Sequence, residues 1–512
     1  MFRYYPLFAF LCATTFTCFA QEDEDDPFSD YSYLWEDPKE KKKNEKLKKK
    51  AEQDSLKEAV SESKEPRETK ELPPDFRAGL PKKNPTNSIN GGLTYTVIDG
   101  KAYAGLILAP EFTLGKVGVG LEIPVMYGLD DNSFRTEVFT DGVGALRTIR
   151  YLRYGNQKVD PIYVKVGSLS NLMIGYGGLV NNYANSISYE KRKVGMHFDV
   201  NYKGLGGIEG MYSDFDPSSF NLMAIRPYAR PLSWSNIPVV RTLELGATYI
   251  SDKDQTTLLG SENGDESTYL FTNEGISAVG ADVGLTLLSV PFIQIDLFSN
   301  FSQLQVVSQA LADTIIAEVG RDSLELVNGT FENGYGLSVG LNFRFHFIAD
   351  LLSTDIRIER LNYSDYYLPQ FFDSYYEINK DNKIYSLVYA RKMQGFYGSL
   401  TGHILNKVRL GGSLMIPDNI SEVSPAMISL NADVDRLADK ISIHGRYFKG
   451  GLADLGDAFK LDERSLARVR FVYHMNKFLV AGVEYSWAFA PTDDGFKTTQ
   501  YVSPFFGLSI QL

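Results

Sequence analysis

The chain has 512 residues with 64 acidic against 52 basic side chains, and a net charge of −12 argues against nucleic-acid binding through a broad basic face. Its 32 Phe, 31 Tyr and 44 Gly beside 3 Trp favour strands and tight turns. Both cysteines, Cys12 and Cys18, lie within the first 20 residues, so a chain cleaved after Ala20 has no disulfide, thiolate metal site or cysteine nucleophile.

Residues 1–20 read as a signal peptide. Arg3 supplies the positive start, Tyr4 to Phe19 is apolar, and Cys18-Phe19-Ala20 places small residues at the cleavage positions. The apolar run falls short of the roughly 20 residues a spanning helix needs. A lipoprotein signal is disfavoured because Thr15-Phe16-Thr17 lacks the expected Leu and small residues before Cys18.

Residues 21–88 hold 18 acidic and 15 basic side chains in 68 positions, acidic first (Glu22 to Asp26) and then basic (Lys41 to Lys43, Lys48 to Lys50). Such a segment cannot bury enough apolar surface to offset its ordering entropy, so a largely disordered, charged periplasmic tail is expected. Leu47, Ala51 and Leu56 suggest one transient amphipathic helix. A periplasmic or cell-wall partner for the tail is the alternative reading.

From residue 89 to 512, period-2 alternation dominates. In Gly334 to Phe347, one face carries Tyr335, Leu337, Val339, Leu341, Phe343, Phe345 and Phe347, and the other Gly334, Gly336, Ser338, Gly340, Asn342, Arg344 and His346. Leu479 to Phe489 and Ile428 to Asp435 repeat the pattern. A soluble sandwich would bury the apolar face, whereas a membrane barrel would turn it to lipid. Runs of 9–14 residues, with aromatics at their ends as in Tyr485-Ser486-Trp487, favour the barrel, since soluble strands average about 5–6 residues and spanning strands about 9–11. The expected fold is an all-β, antiparallel up-and-down transmembrane barrel of about 18–22 strands.

The last strand, Phe506-Gly507-Leu508-Ser509-Ile510-Gln511-Leu512, resembles the closing strand of bacterial outer-membrane β-barrel (porin-like) proteins, with Leu512 where an aromatic is usual. The resemblance implies the outer membrane of a Gram-negative-type envelope, surrounding outer-membrane lipid, and recognition by the barrel-assembly machinery through Phe506–Leu512. The stretch from Asp160 to Asn185, with Gly175-Tyr176-Gly177-Gly178 and Asn181-Asn182-Tyr183, is similar to segments of uncharacterised outer-membrane proteins and implies no activity.

Counting back from the C-terminus, the short connections 474–477, 437–440 and 405–407 fall on the periplasmic side, and loops 490–498, 450–463 and 417–426 outside. In this frame we expect residues 367–378 to add a strand, so that the long loops 305–333 and 252–274 also lie outside. Two insertions are candidates to narrow a lumen. One is 305–333, with Leu304, Val307, Leu311, Ile315 and Val319 at helical spacing. The other is 127–160, with Arg147, Arg150 and Arg153 at i,i+3 spacing, able to line a constriction or bind lipid-A phosphates but more simply a solvated loop face.

Catalytic and metal motifs are weak. Gly336-Leu337-Ser338-Val339-Gly340 matches G-x-S-x-G but lies inside an alternating strand rather than a strained strand–turn–helix. His197, His346, His403, His444 and His474 contain no i,i+4 pair, so neither metal nor cofactor is expected; His403 with Ser399 and Thr401 on one face is the nearest approach to a catalytic group. Gly175 to Gly178 lacks a phosphate-loop spacing and reads as a bend.

The candidate functional residues are lumen-lining charges: Arg344, Arg357, Arg409, Arg446, Arg468, Arg470 and Glu484. Set against Glu209, Glu244, Glu359 and Asp433, they would either impose a transverse field on a pore or pair with one another and brace the wall. The leading functional expectation is a porin-like channel for small solutes with no chemical step. A non-conducting barrel binding a ligand or partner through long outer loops is the alternative, and a membrane-embedded hydrolase or acyltransferase the third.

Overall fold

The computed structural model describes residues 87–98, 101–136, 145–185, 193–216, 222–253, 257–258, 270–271, 276–305, 333–348, 351–377, 390–405, 407–421, 424–462, 464–492 and 495–511, with 75, 77, 380, 383, 386 and 387. The chain divides into two units, Met1–Glu71 and Leu72–Leu512. The first, with the expected signal peptide and most of the charged tail, lies outside the described residues.

Alternating sequence becomes a ladder of antiparallel strands. They are β1 (Ser88–Ile98), β2 (Lys101–Leu114), β3 (Val117–Leu121, continuing as Ile123–Gly128), β4 (Ile149–Tyr154), β5 (Ile162–Gly167), β6 (Gly195–Tyr202) and β7 (Gly206–Tyr212). Next come β8 (Met223–Ala229), β9 (Glu244–Asp252), β10 (Ile276–Val290), β11 (Ile293–Gln305), β12 (Tyr335–Ile348), β13 (Leu352–Tyr363) and β14 (Met393–Ile404). The last are β15 (Val408–Pro417), β16 (Ala426–Leu437), β17 (Ile441–Leu452), β18 (Ser465–His474), β19 (Leu479–Thr492) and β20 (Gly495–Gln511). The two halves of β3 are one bent strand, since both pair with β2. β20 then pairs with β1, from Ser88 opposite Gln511 to Thr94 opposite Phe505, and closes a 20-strand barrel with no free edge. Thr257–Leu258 and Leu270–Phe271 form a separate two-stranded ladder.

The alternation is inverted relative to a soluble core. On β12 the apolar face is outside, Val339 being 49% exposed, while Ser338 on the polar face is 4% exposed. On β18, Val469, Phe471 and Tyr473 are exposed, and on β20 Phe506 and Leu508 are exposed while Ser503 and Ser509 are buried. A cylinder with an apolar exterior and a polar interior is stable only where lipid replaces water outside, and closure satisfies every strand edge there. This inversion separates the membrane barrel from the sandwich. Val339→Arg is accordingly expected to destabilise the inserted barrel by about 2–4 kcal/mol, and an unchanged unfolding midpoint in lipid would place Val339 off the lipid face.

Loop length segregates by end. One rim carries 115–116, 155–161, 203–205, 230–243, 291–292, 349–351, 405–407, 438–440 and 475–478, and the chain enters β1 and leaves β20 there. The other carries 129–148, 168–194, 213–222, 253–275, 306–334, 364–392, 418–425 and 453–464, with two tight connections at 99–100 and 493–494. Two expectations are corrected. Residues 367–377 form no barrel strand, because β13 pairs directly with β14; the strand ends that flank 253–275 and 306–334 already lie on the long-loop rim. The expected loop at 490–498 is mostly ladder, Thr492 facing Gly495 and Ala488 facing Thr499, because backbone pairing continues through polar residues once register is set.

Candidate functional site

The lumen is divided. From the long-loop rim, segments 168–185 and 364–377 fold into the cylinder rather than over it. They meet at a parallel bridge between Val180 and Phe372, where Asn181 N donates to Phe372 O at 3.3 Å and Phe372 N to Leu179 O at 3.1 Å. Leu172, Ile174, Leu179, Tyr183, Phe371 and Tyr376 pack against wall residues such as Met211, Ile250, Leu304, Leu361 and Met415. Apolar side chains are thus buried inside a barrel whose wall is otherwise polar inward, which makes this half of the lumen a core.

Local sequence explains the fit. Gly175 and Gly177 have φ of +56° and +78°, a left-handed backbone that Gly adopts without a Cβ penalty. A Cβ on Gly175 would lie 2.8 Å from Arg226 Nε, and one on wall residue Gly284 would collide with the Tyr176 hydroxyl. Tyr176 lies parallel to Phe298 at 5.2 Å between ring centres. Arg357 of β13 donates to Tyr176 O at 2.6 Å and to Glu359 Oε2 at 2.6 Å, tying wall to plug.

Beneath the plug lies a buried charge network. Arg226 of β8, fully buried, donates to Glu209 Oε1 at 2.7 Å, Glu244 Oε1 at 2.9 Å and Asp282 Oδ2 at 2.8 Å, from β7, β9 and β10. Lys158 Nζ reaches Glu209 Oε2 at 2.6 Å, and Arg230 Nη2 reaches Glu244 Oε2 at 2.9 Å. Arg77, which precedes the first strand, enters the same network. Its Nη2 bonds Glu244 Oε1 at 2.8 Å and Asp75 Oδ2 at 2.7 Å, and its guanidinium lies 4.7 Å from the Tyr176 ring centre. Burial alone would raise the Asp75 carboxyl pKa, but Arg77, Lys158 and Arg230 hold it well below the usual carboxylate range. The anchor's contribution to stability is therefore present at neutral pH and is lost as pH falls through and below that range.

The opposite half of the lumen is a cavity of about 850 Å³ along the inner face of β12–β19. Along β15 alone its lining runs from Arg409 to Met415. Seven arginines line it, Arg150, Arg344, Arg357, Arg409, Arg446, Arg468 and Arg470, against the carboxylates Asp355, Asp433 and Glu484. Ser399, Thr401, Ser413, Ser429, Asn431 and Ser486 supply hydroxyl and amide groups between them. The chain is strongly acidic overall, yet this compartment is basic.

All seven charges singled out from the sequence line this cavity, in differing states. Arg344 Nε bonds Asp355 Oδ1 at 2.7 Å, and both Arg344 and Arg357 are buried, so they brace the wall. Arg409 pairs with Asp433, and Arg468 Nη2 with Glu484 Oε1 at 2.6 Å. Arg470 Nε lies 3.9 Å from Glu484 Oε2, its guanidinium 4.6 Å from the Phe505 ring centre. Arg446 bonds the neutral side chain of Asn171 in the plug. Of the two alternatives for these charges, pairing holds for Glu209 and Glu244, locked in the Arg226 network, and for Glu359, held by Arg357.

Other sequence candidates resolve differently. Ser338 is buried in the β12 ladder, its hydroxyl 3.4 Å from Asn300 Nδ2, in no strand–turn–helix. His403 and His444 line the cavity, and His403 Nε2 is 3.8 Å from Asp355 Oδ2, too far for a hydrogen bond. Among the described residues no group of three His, Cys, Asp or Glu could hold a metal ion. Arg150 and Arg153 are not a helical stripe: both lie on β4, and Arg150 pairs with Glu111. Residues 306–332 are outside the described residues, and Leu304 belongs to the core beside the plug. Among the described residues, the narrowing comes from 168–185 and 364–377. The glycine run at 175–178 was its one sequence signal, read as a bend.

These features define a class: an outer-membrane-type transmembrane β-barrel with an inner plug and a basic half-lumen. No protein-family model and no curated protein matches the chain. Solved structures with a similar fold include OccK11 of Pseudomonas aeruginosa, at 12% identity over 83% of this chain and 95% of that one, TM-score 0.28. Wzi of Escherichia coli, described as a carbohydrate-binding β-barrel involved in group 1 capsule assembly, is 11% identical over 83% and 85%, TM-score 0.32. The ferric-catecholate import receptor Fiu of E. coli is 10% identical over 84% and 82%, TM-score 0.35. At these values the likenesses say nothing of what this barrel carries.

Proposed function

We propose that the protein resides in the outer membrane as a channel for small, preferentially anionic solutes, with no chemical step. The observation that carries this is the cavity along β12–β19, where seven arginines, two of them paired with Glu111 and Glu359 outside it, face three carboxylates in a chain of net charge −12. Low-dielectric walls focus an excess of one sign, raising the local concentration of counter-ions. By the rule that bacterial barrels have short periplasmic turns, the long-loop rim and its plug face outward. The plug confines passage to one half of the lumen and so sets the size limit.

Planar-bilayer recording of the refolded protein tests this. Anion-over-cation permeability is expected, and replacing Arg468 and Arg470 by Glu is expected to reverse it, since both side chains are about half exposed to the cavity. A barrel that inserts without passing current rejects the channel, and unchanged selectivity in the double variant rejects the arginine face.

The dense packing of the plug favours a second reading, a barrel that binds its ligand in the cavity without conducting. The same recording separates the two.

A further inference from the structure

The geometry points to a discrete binding site for a phosphate-type oxyanion between β17 and β18, at Arg446 and Arg468 with Arg409 and Arg470 beside them. Arg446 and Arg468 are direct cross-strand partners on the inward face, and His444 and Arg470 are the next inward pair. Facing residues of an antiparallel pair have Cα atoms only about 4.5–5.5 Å apart, and like charges so placed repel. Arg446 feels the carboxylate of Asp433 as well as the like charges of Arg409 and Arg468, but its own hydrogen bond is to neutral Asn171. Asp433 pairs with Arg409, and Glu484 is shared between Arg468 and Arg470. Among the described residues, four arginines face two carboxylates on one small patch of wall.

Such a patch is completed by a bound dianion. A planar monocarboxylate is satisfied by one bidentate guanidinium, whereas a tetrahedral phosphate offers enough oxygens to bridge Arg446 and Arg468 at once. Ser486, the register partner of Arg468, and Asn431, that of Arg446, also line the cavity and can take remaining lone pairs or a neighbouring hydroxyl. The chemistry recognised is a phosphate or phosphomonoester group. The site shares the cavity of the proposed channel and rests on that cavity being accessible to solutes, not on its conducting.

Titration calorimetry of the refolded full chain in zwitterionic detergent tests it, with inorganic phosphate, glucose 6-phosphate, acetate and chloride at matched ionic strength. Saturable binding of phosphate or its ester is expected, stronger than acetate or chloride by roughly tenfold or more, the scale of one charge-assisted guanidinium contact. Arg446→Gln and Arg468→Gln should each weaken it by a similar factor, while Arg360→Gln, on the outer face and paired with Asp418, should not. Glu484→Gln should strengthen it, a gain no misfolded variant can show. Tighter binding of the ester assigns the site to a phosphorylated solute, and tighter binding of inorganic phosphate to the free ion. Phosphate heats no greater than those of chloride, or binding that survives both arginine substitutions, overturn the site. Phosphate binding without current would reject the channel and keep the site; anion current without saturable phosphate binding would do the reverse.

Discussion

Replacing Arg226 by Met is expected to destabilise the barrel by roughly 3–5 kcal/mol, the usual cost of removing one partner from a buried ion pair. The guanidinium is fully buried and touches three carboxylates on three different strands. Methionine fills similar volume, so the loss is electrostatic rather than a cavity. Glu209 keeps Lys158 and Glu244 keeps Arg77 and Arg230, whereas Asp282 loses its ion pair with Arg226. The double variant Arg226→Met with Asp282→Asn should therefore recover part of the loss. Urea unfolding of the inserted protein, followed by the heat-dependent electrophoretic shift of folded barrels, measures both. A single variant with the wild-type midpoint would show that the network positions the plug without stabilising the wall.

Replacing residues 170–184 by a short flexible linker is expected to raise single-channel conductance roughly two- to threefold, because a cylinder of this strand number is wide enough for an aqueous lumen once its filling is removed. The segment supplies Leu172, Ile174, Leu179, Val180 and Tyr183 to the interior core, and Tyr176 to the contact with Arg77 and Arg357. Its removal also frees Arg446 from Asn171. The wall ladder is independent of these contacts, so the variant should still show the heat-dependent shift. Folded protein with unaltered conductance would mean that ions never use the space the plug occupies.

The wall was legible in the sequence because its cause is local. A period of two is imposed by the pleat, so Tyr335 to Phe347 and Phe506 to Leu512 could be assigned to faces residue by residue. The inward charges followed from the same rule, and Arg344, Arg409, Arg446, Arg468, Arg470 and Glu484 do share one cavity. Even parity and a count within 18–22 also follow from that pattern, because each connection reverses the chain.

The interior filling was not legible. Segments 168–185 and 364–390 carry no period, and their residues find partners far away in the chain, as Val180 meets Phe372 and Asn181 meets Tyr397. Glu209 and Glu244 looked like pore charges because their cation, Arg226, is one residue among many until strand register sets β7, β9 and β10 around it. Local alternation thus specifies which side of each strand faces lipid and which faces the lumen. Which lumen charges remain open to a solute depends on the register between strands and on loops folding inward, because only the tertiary structure settles which charges neutralise one another.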